Sequence, residues 1–88
     1  MSFEIIYNQE FNNDFFFDDE FNFKEYEACT FIKCDFTECH FKNTVFLDCK
    51  FEDCNFSNSD INNIALRGVH FLGCDFTEVN FARIDQFI

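Results

Sequence analysis

Residues 29–56 read CTFIKCDFTECHFKNTVFLDCKFEDCNF. Each of the five cysteines in this stretch is followed two residues later by phenylalanine, and the phenylalanines recur at every fifth position. Extended in both directions, the step of five passes through Phe11, Phe16, Phe21, Tyr26, Phe31, Phe36, Phe41, Phe46, Phe51, Phe56, Ile61, Leu66, Phe71, Phe76 and Phe81. All fifteen are apolar and twelve are Phe, so the pattern is a repeat and not a local cluster.

The slot two residues before each of these holds Cys29, Cys34, Cys39, Thr44, Cys49, Cys54, Ser59, Ile64, Val69, Cys74, Val79 and Ile84. All are small or β-branched, and every cysteine of the chain falls in this slot. The slot just before the large residue favours Asp and Asn, and the remaining two are polar and variable. A period of five fits neither the 3.6 of an α-helix nor the 2 of a long strand. A helix would spread the phenylalanines around its circumference and leave most of them in water. Short extended segments joined by turns keep two residues of every five inside, one small and one large.

The chain has 88 residues, which bounds it to one domain with little room for a conventional core. It carries 17 acids against 6 bases, a formal charge of -11. That balance argues against direct binding to nucleic acid or to an anionic membrane, both of which need clustered Lys and Arg. The start, MSFEIIYNQE, has neither a basic region nor a long apolar run, so the expected compartment is the cytoplasm and the expected state of the six cysteines is the free thiol.

The motifs CDFTE, CNFSN and CDFTE at residues 34, 54 and 74, with SDINN at 59 and VNFAR at 79, resemble the pentapeptide repeat family. The resemblance implies an all-β fold: a right-handed quadrilateral parallel β-helix, a pentapeptide repeat solenoid of about four coils. Each pentapeptide forms one side, and twenty residues separate stacked positions. It divides the chain into an N-terminal cap and divergent first coil at 1–25, the repeat β-helix at 26–85, and a truncated or uncapped end at 86–88, where Gln86 breaks the aromatic register. The first segment keeps the aromatic period but places Gln9, Asp14, Asp19 and Lys24 in the small slot. Phe31, Phe36, Phe41, Phe46, Phe51, Phe56, Phe71, Phe76 and Phe81 are the expected core ladder, and Phe15, Phe17 and Phe23 are expected to pack within the cap.

Cysteines four residues apart invite comparison with a zinc site, but successive small slots fall on successive sides of the coil and do not converge. Cys34, Cys54 and Cys74 share a column with a Cα spacing of about 5 Å, inside the disulfide window. Parallel Cβ vectors and a reducing compartment weigh against bonding, and Cys acts here as a small hydrophobe. His40 and His70 precede a phenylalanine and lie one and a half coils apart, so they point outward on opposite sides. No metal, cofactor or catalytic constellation is expected.

Function then falls to the outward slots. Asp18, Asp35, Glu38, Asp75 and Glu78 lie on the side built on Phe16, Phe36, Phe56 and Phe76, which has no Lys or Arg. Some pentapeptide repeat proteins, the quinolone-resistance and gyrase-inhibitor types, are acidic DNA mimics that bind type II topoisomerases. The resemblance therefore implies a non-enzymatic acidic protein-binding module with DNA gyrase or another DNA-binding protein as partner. The alternative is a structural or self-assembling repeat segment without mimicry. An end-to-end homodimer, or membership of a longer chain, is expected from the unpaired coil end. Outward Val45, Leu47 and Ala65, with Ile32 and Leu72 on a neighbouring side, form a weaker apolar patch.

Overall fold

The computed structural model describes residues 4–16, 21–61, 64–79 and 86–87. Its regular elements are all strands: β1 (Glu4–Tyr7), β2 (Glu10–Asn12), β3 (Lys24–Glu27), β4 (Thr30–Ile32), β5 (Thr44–Leu47), β6 (Lys50–Glu52), β7 (Ile64–Arg67), β8 (His70–Leu72) and β9 (Gln86–Phe87). The odd-numbered strands pair in parallel into one face and the even-numbered strands into the next. Phe11, Phe31, Phe51 and Phe71 are direct register partners, so one coil is twenty residues.

The third and fourth faces are too short to make named strands, yet they carry the same ladder. Parallel bridges join Phe15, Asp35, Asn55 and Asp75 on the third face, and His40 and Asp60 on the fourth. Their amides bond from coil to coil, as in Phe36 N–H to the Asn55 carbonyl at 2.8 Å and Asp60 N–H to the Cys39 carbonyl at 2.8 Å. The chain is thus a four-sided parallel β-solenoid. The described residues make about three turns in place of the expected four.

The inward slots fill the interior in two directions. Between coils, rings stack nearly face to face, at 4.7 Å and 5° for Phe31 and Phe51 and at 4.7 Å and 10° for Phe36 and Phe56. Within a coil, neighbouring columns meet edge to face, as for Phe31 and Phe36 at 67° or Phe46 and Phe51 at 77°. Offset stacks and edge contacts both satisfy the ring quadrupole, and each such pair is worth about 0.5–1.5 kcal/mol beyond burial. Phe31, Phe36, Phe41, Phe46, Phe51 and Phe56 are buried, and Phe71 and Phe76 are partly buried. Phe81 lies outside the described residues.

The small slot turns out to have a polar duty. Each cysteine thiol donates to the carbonyl of the large residue in the preceding coil, from Cys54 to Phe31 at 3.2 Å through Cys29 to Ile6 at 3.5 Å. Thr44 replaces Cys without breaking the pattern, its hydroxyl donating to the Phe21 carbonyl at 2.8 Å. A small side chain with one donor fits both the tight wall and the carbonyl beside it.

The corners are set by the last residue of each pentapeptide, which takes a positive φ. Asn8, Asn13, Asn43, Asp48, Asp53, Asn58, Gly68 and Gly73 tolerate that conformation, whereas Phe23, Ala28, Lys33, Glu38 and Glu78 hold it against steric cost. Both glycines of the chain sit here. A Cβ on Gly68 or Gly73 would come within 2.5 or 2.6 Å of the Asp48 or Asp53 carboxylate one coil earlier.

One expectation about the ends needs correcting. Phe15 and Phe23 are not buried: they are 59% and 39% exposed, because one occupies the outward slot before Phe16 and the other a positive-φ corner. Phe17 lies outside the described residues. At the other end the twenty-residue register does break at Gln86. It pairs with Ala65, and Phe87 pairs with Leu66, so the last turn holds 21 residues between partners where the others hold twenty.

Candidate functional site

The third face gathers most of the acids singled out from the sequence. Asp35 and Asp75 stand in one column with Asn55 between them, and the corner column beside it runs Glu38, Asn58, Glu78. Carboxylates in each column are therefore two strand spacings apart, about 9–10 Å. Among the described residues the outward slots of this face contain no Lys or Arg. Asp18, which completes the predicted set, lies outside them.

Asp35 and Asp75 also have a structural task that the sequence reading missed. One oxygen of Asp75 accepts the Thr77 amide at 2.9 Å and the Thr77 hydroxyl at 2.6 Å, and Asp35 does the same for Thr37. Asn55 closes the identical turn with Ser57 at 2.9 and 2.6 Å. These are Asx turns, in which a short side chain satisfies the amide two residues on. The signal was present in DFT, NFS and DFT. Hydrogen bonds from the Thr77 hydroxyl and amide hold the Asp75 carboxyl below its ordinary range, so it stays ionised.

A second acidic group, on the first face, was not singled out. Glu25 and Glu27 project outward from β3, and Asp48 sits at the corner one coil later. A hydrogen bond between the Glu25 and Glu27 carboxyls, with repulsion from Glu25 and Asp48, raises the Glu27 pKa. This group is crowded with like charge, whereas the third face spaces its charges apart.

The other candidates separate. His40 and His70 are exposed on the fourth and second faces, on opposite sides of the coil. The six thiols are free. Among the described residues no group of His, Cys, Asp or Glu is arranged to hold a metal ion, and no helix is long and apolar enough to cross a membrane. In the apolar patch Val45 and Ala65 are adjacent, but Glu52 separates Ile32 from Leu72.

A four-sided parallel solenoid with a thiol-lined phenylalanine core and acidic outer rows defines a class of repeat protein whose only open surfaces are its faces and ends. The family model described as a pentapeptide repeat region matches residues 10–86, and the chain belongs to that family. Among solved structures it is similar to a trypsin-treated form of QnrB1, a plasmid-mediated fluoroquinolone resistance protein. The TM-score is 0.74 at 19% identity, over 88% of this chain and 50% of that one. A second trypsin-treated form matches with a TM-score of 0.69 at 20% identity, over 90% and 50% of the two chains. Full-length QnrB1 matches with 0.65 at 18% identity, over 88% and 48%. The chain thus spans about half the length of these structures, and at such identity the likeness is one of fold. No curated protein matches the sequence.

Proposed function

We propose that the chain is a non-catalytic protein-binding module whose third face docks on a basic surface of a DNA-binding protein, with a type II topoisomerase such as DNA gyrase as the foremost partner. The observation that carries this reading is the pair of columns, Asp35–Asn55–Asp75 and Glu38–Asn58–Glu78, spaced carboxylates with no cation among them. The fold it shares with a fluoroquinolone resistance protein supports the choice of partner. The extents of 32 × 27 × 25 Å make the module a short prism, so any mimicry of duplex DNA by this segment covers only a few base pairs.

Asn55 and Asn58 supply a clean test. They already occupy the same two columns, so the fourfold variant D35N, E38N, D75N and E78N keeps every Asx turn and eases two positive-φ corners while removing four charges. Binding to gyrase, measured directly and as inhibition of supercoiling, should weaken about tenfold or more in the variant and fall with rising salt. Unchanged supercoiling in excess protein, or binding indifferent to both changes, would remove the reading.

A structural, self-assembling role is favoured by one observation: Ile5 and Tyr7 on the outer strand β1 are 46% and 54% exposed. Sedimentation should then show a concentration-dependent mass that an Ile5→Lys, Tyr7→Lys variant abolishes. The expected stacking of C-terminal ends involves residues that lie mostly outside those described.

A further inference from the structure

The outer surface of the first face carries an order of its own. Alternation along the strands turns Glu25 and Glu27 outward on β3, Val45 and Leu47 on β5, and Ala65 and Arg67 on β7, while Tyr26, Phe46 and Leu66 are buried between them. The register stacks these outward residues in two columns, Glu25, Val45, Ala65 and Glu27, Leu47, Arg67. From coil to coil the face is therefore an acidic row, an apolar row and a row ending in a cation, with rows about 4.8 Å apart. Arg67 is exposed, and Val45 and Leu47 keep part of their apolar surface in water.

This order is complementary to itself. A second copy turned about a twofold axis that runs along β5, in the plane of contact, keeps each column opposite itself and reverses the order of the rows. Val45 and Leu47 then meet their own counterparts at the centre, and Glu27 of each chain faces Arg67 of the other, once on either side of the axis. Glu25 faces the small Ala65, which leaves the neighbouring guanidinium room to reach both carboxylates. Other placements fail. An axis at right angles to the strands, or one along β3, sets Glu25 and Glu27 against their own counterparts, and one midway between β3 and β5 covers the carboxylates with Val45 and Leu47. We propose that the first face is a homodimer interface, in which a second copy of the chain docks across the β5 row and reciprocal Glu27–Arg67 ion pairs fix its register.

The electrostatics of the single chain agree with this arrangement. The hydrogen bond to Glu25 and repulsion from Glu25 and Asp48 raise the Glu27 pKa, a crowding that an opposing guanidinium relieves. The neighbouring faces lack the same self-complementarity. On the third, the spaced carboxylates repel a second copy, and on the second, Lys50 and Glu52 pair within one strand at 3.4 Å. In a prism of 32 × 27 × 25 Å a single face is small. Docking it buries less than about 1,200 Å² in total, the range of transient complexes, so a Kd of about 10–100 μM is expected. The first and third faces lie on opposite sides of the coil, so the dimer leaves both acidic faces open and does not depend on what binds them.

Charge reversal tests the register. Sedimentation of the native chain at low salt should pass from monomer to dimer across that concentration range and return toward monomer as salt rises. Glu27→Arg and Arg67→Glu each set like charges across the axis and should weaken self-association about tenfold or more. An equimolar mixture of these two variants should dimerise as the native chain does, because each supplies the charge that the other repels in itself. Both changes in one chain should restore the homodimer too, and Leu47→Lys at the centre should abolish it. Glu27 and Arg67 point away from the core, so the reversals leave the solenoid intact, which a thermal melt checks. A native chain that stays monomeric throughout, single variants that associate as the native chain does, or a mixture that fails to pair would each overturn the proposal. Assembly through the edge of β1 or through the coil ends would be recognised by its indifference to both reversals, and that result too counts against the first face.

Discussion

The coil from Phe31 to Phe46 and the coil from Phe51 to Leu66 share a backbone but not a core. In the first, all four large slots are Phe, each 0–1% exposed. In the second, Ile61 and Leu66 replace two of the rings. A small apolar cavity opens there, lined by Phe46, Phe56, Ile61, Ile64, Leu66 and Phe76 among others. The backbone ladder is indifferent to this exchange, since Phe46 and Leu66 remain direct register partners. Repeat geometry is therefore fixed by the slots and corners, while ring packing sets how tightly a given coil is held.

The largest effect should come from breaking the better-packed coil. Phe36→Ala removes a ring stacked on Phe16 and Phe56 and edge-on to Phe31 and Phe51, and should cost about 3–5 kcal/mol in urea unfolding. That is a large share of the whole stability of a domain this size. The converse change, Ile61→Phe, adds a ring beside the cavity and should raise stability by about 0.5–2 kcal/mol. If Ile61→Phe destabilises as much as an overpacked core substitution does, the looser coil is already filled to its limit.

The small slot offers a sharper contrast between the same two coils. Thr44 and Ser59 are both buried hydroxyls, yet Thr44 donates to the Phe21 carbonyl at 2.8 Å and Ser59 Oγ has no partner among the described residues. Thr44→Val should cost about 1–2 kcal/mol, and Ser59→Ala should be neutral or stabilising by up to about 1 kcal/mol. Equal losses for both in thermal unfolding would mean that the hydroxyl-to-carbonyl bond contributes nothing beyond filling space.

How much of this was legible follows from how each slot constrains its residue. The interior admits only large apolar or small side chains, so the step of five through Phe11 to Phe76 exposes the core and the twenty-residue register directly. The corner is a softer constraint. Positive φ favours Asn8, Asp48 or Gly68 but is also forced on Lys33, Glu38 and Phe23, and those exceptions blur the slot into apparent variability. Phe15 misled for a related reason: a large apolar residue was read as buried although its slot faces out. The candidate face was legible as charge, from Asp35, Glu38, Asp75 and Glu78. That two of these carboxylates also close turns was legible too, in the Thr two residues after each Asp, but the charge reading passed over it.

The smallest predicted effects compare the two acidic groups, and their signs differ. Asp75 has a pKa lowered from its ordinary 3.8 by the Thr77 bonds, so its contribution to stability is present above that value and is lost as pH falls through the folded one. Glu27 has a pKa raised from its ordinary 4.5 by the bond to Glu25, so its contribution is present below that value and is lost as pH rises through the folded one. Asp75→Asn should therefore flatten the acid limb of a melting-temperature profile while leaving the neutral value unchanged, because Asn55 shows that the amide closes the same turn. Glu27→Gln should instead raise the neutral value and leave the acid limb alone. Both side chains are exposed and solvent-screened, so the shifts will be small, and their opposite placement on the pH axis is the quantity to test. Were both variants to move the same limb, the spaced columns of the third face and the crowded carboxyls of the first would be electrostatically equivalent, and the third face would lose its claim to be the better-prepared surface for a basic partner.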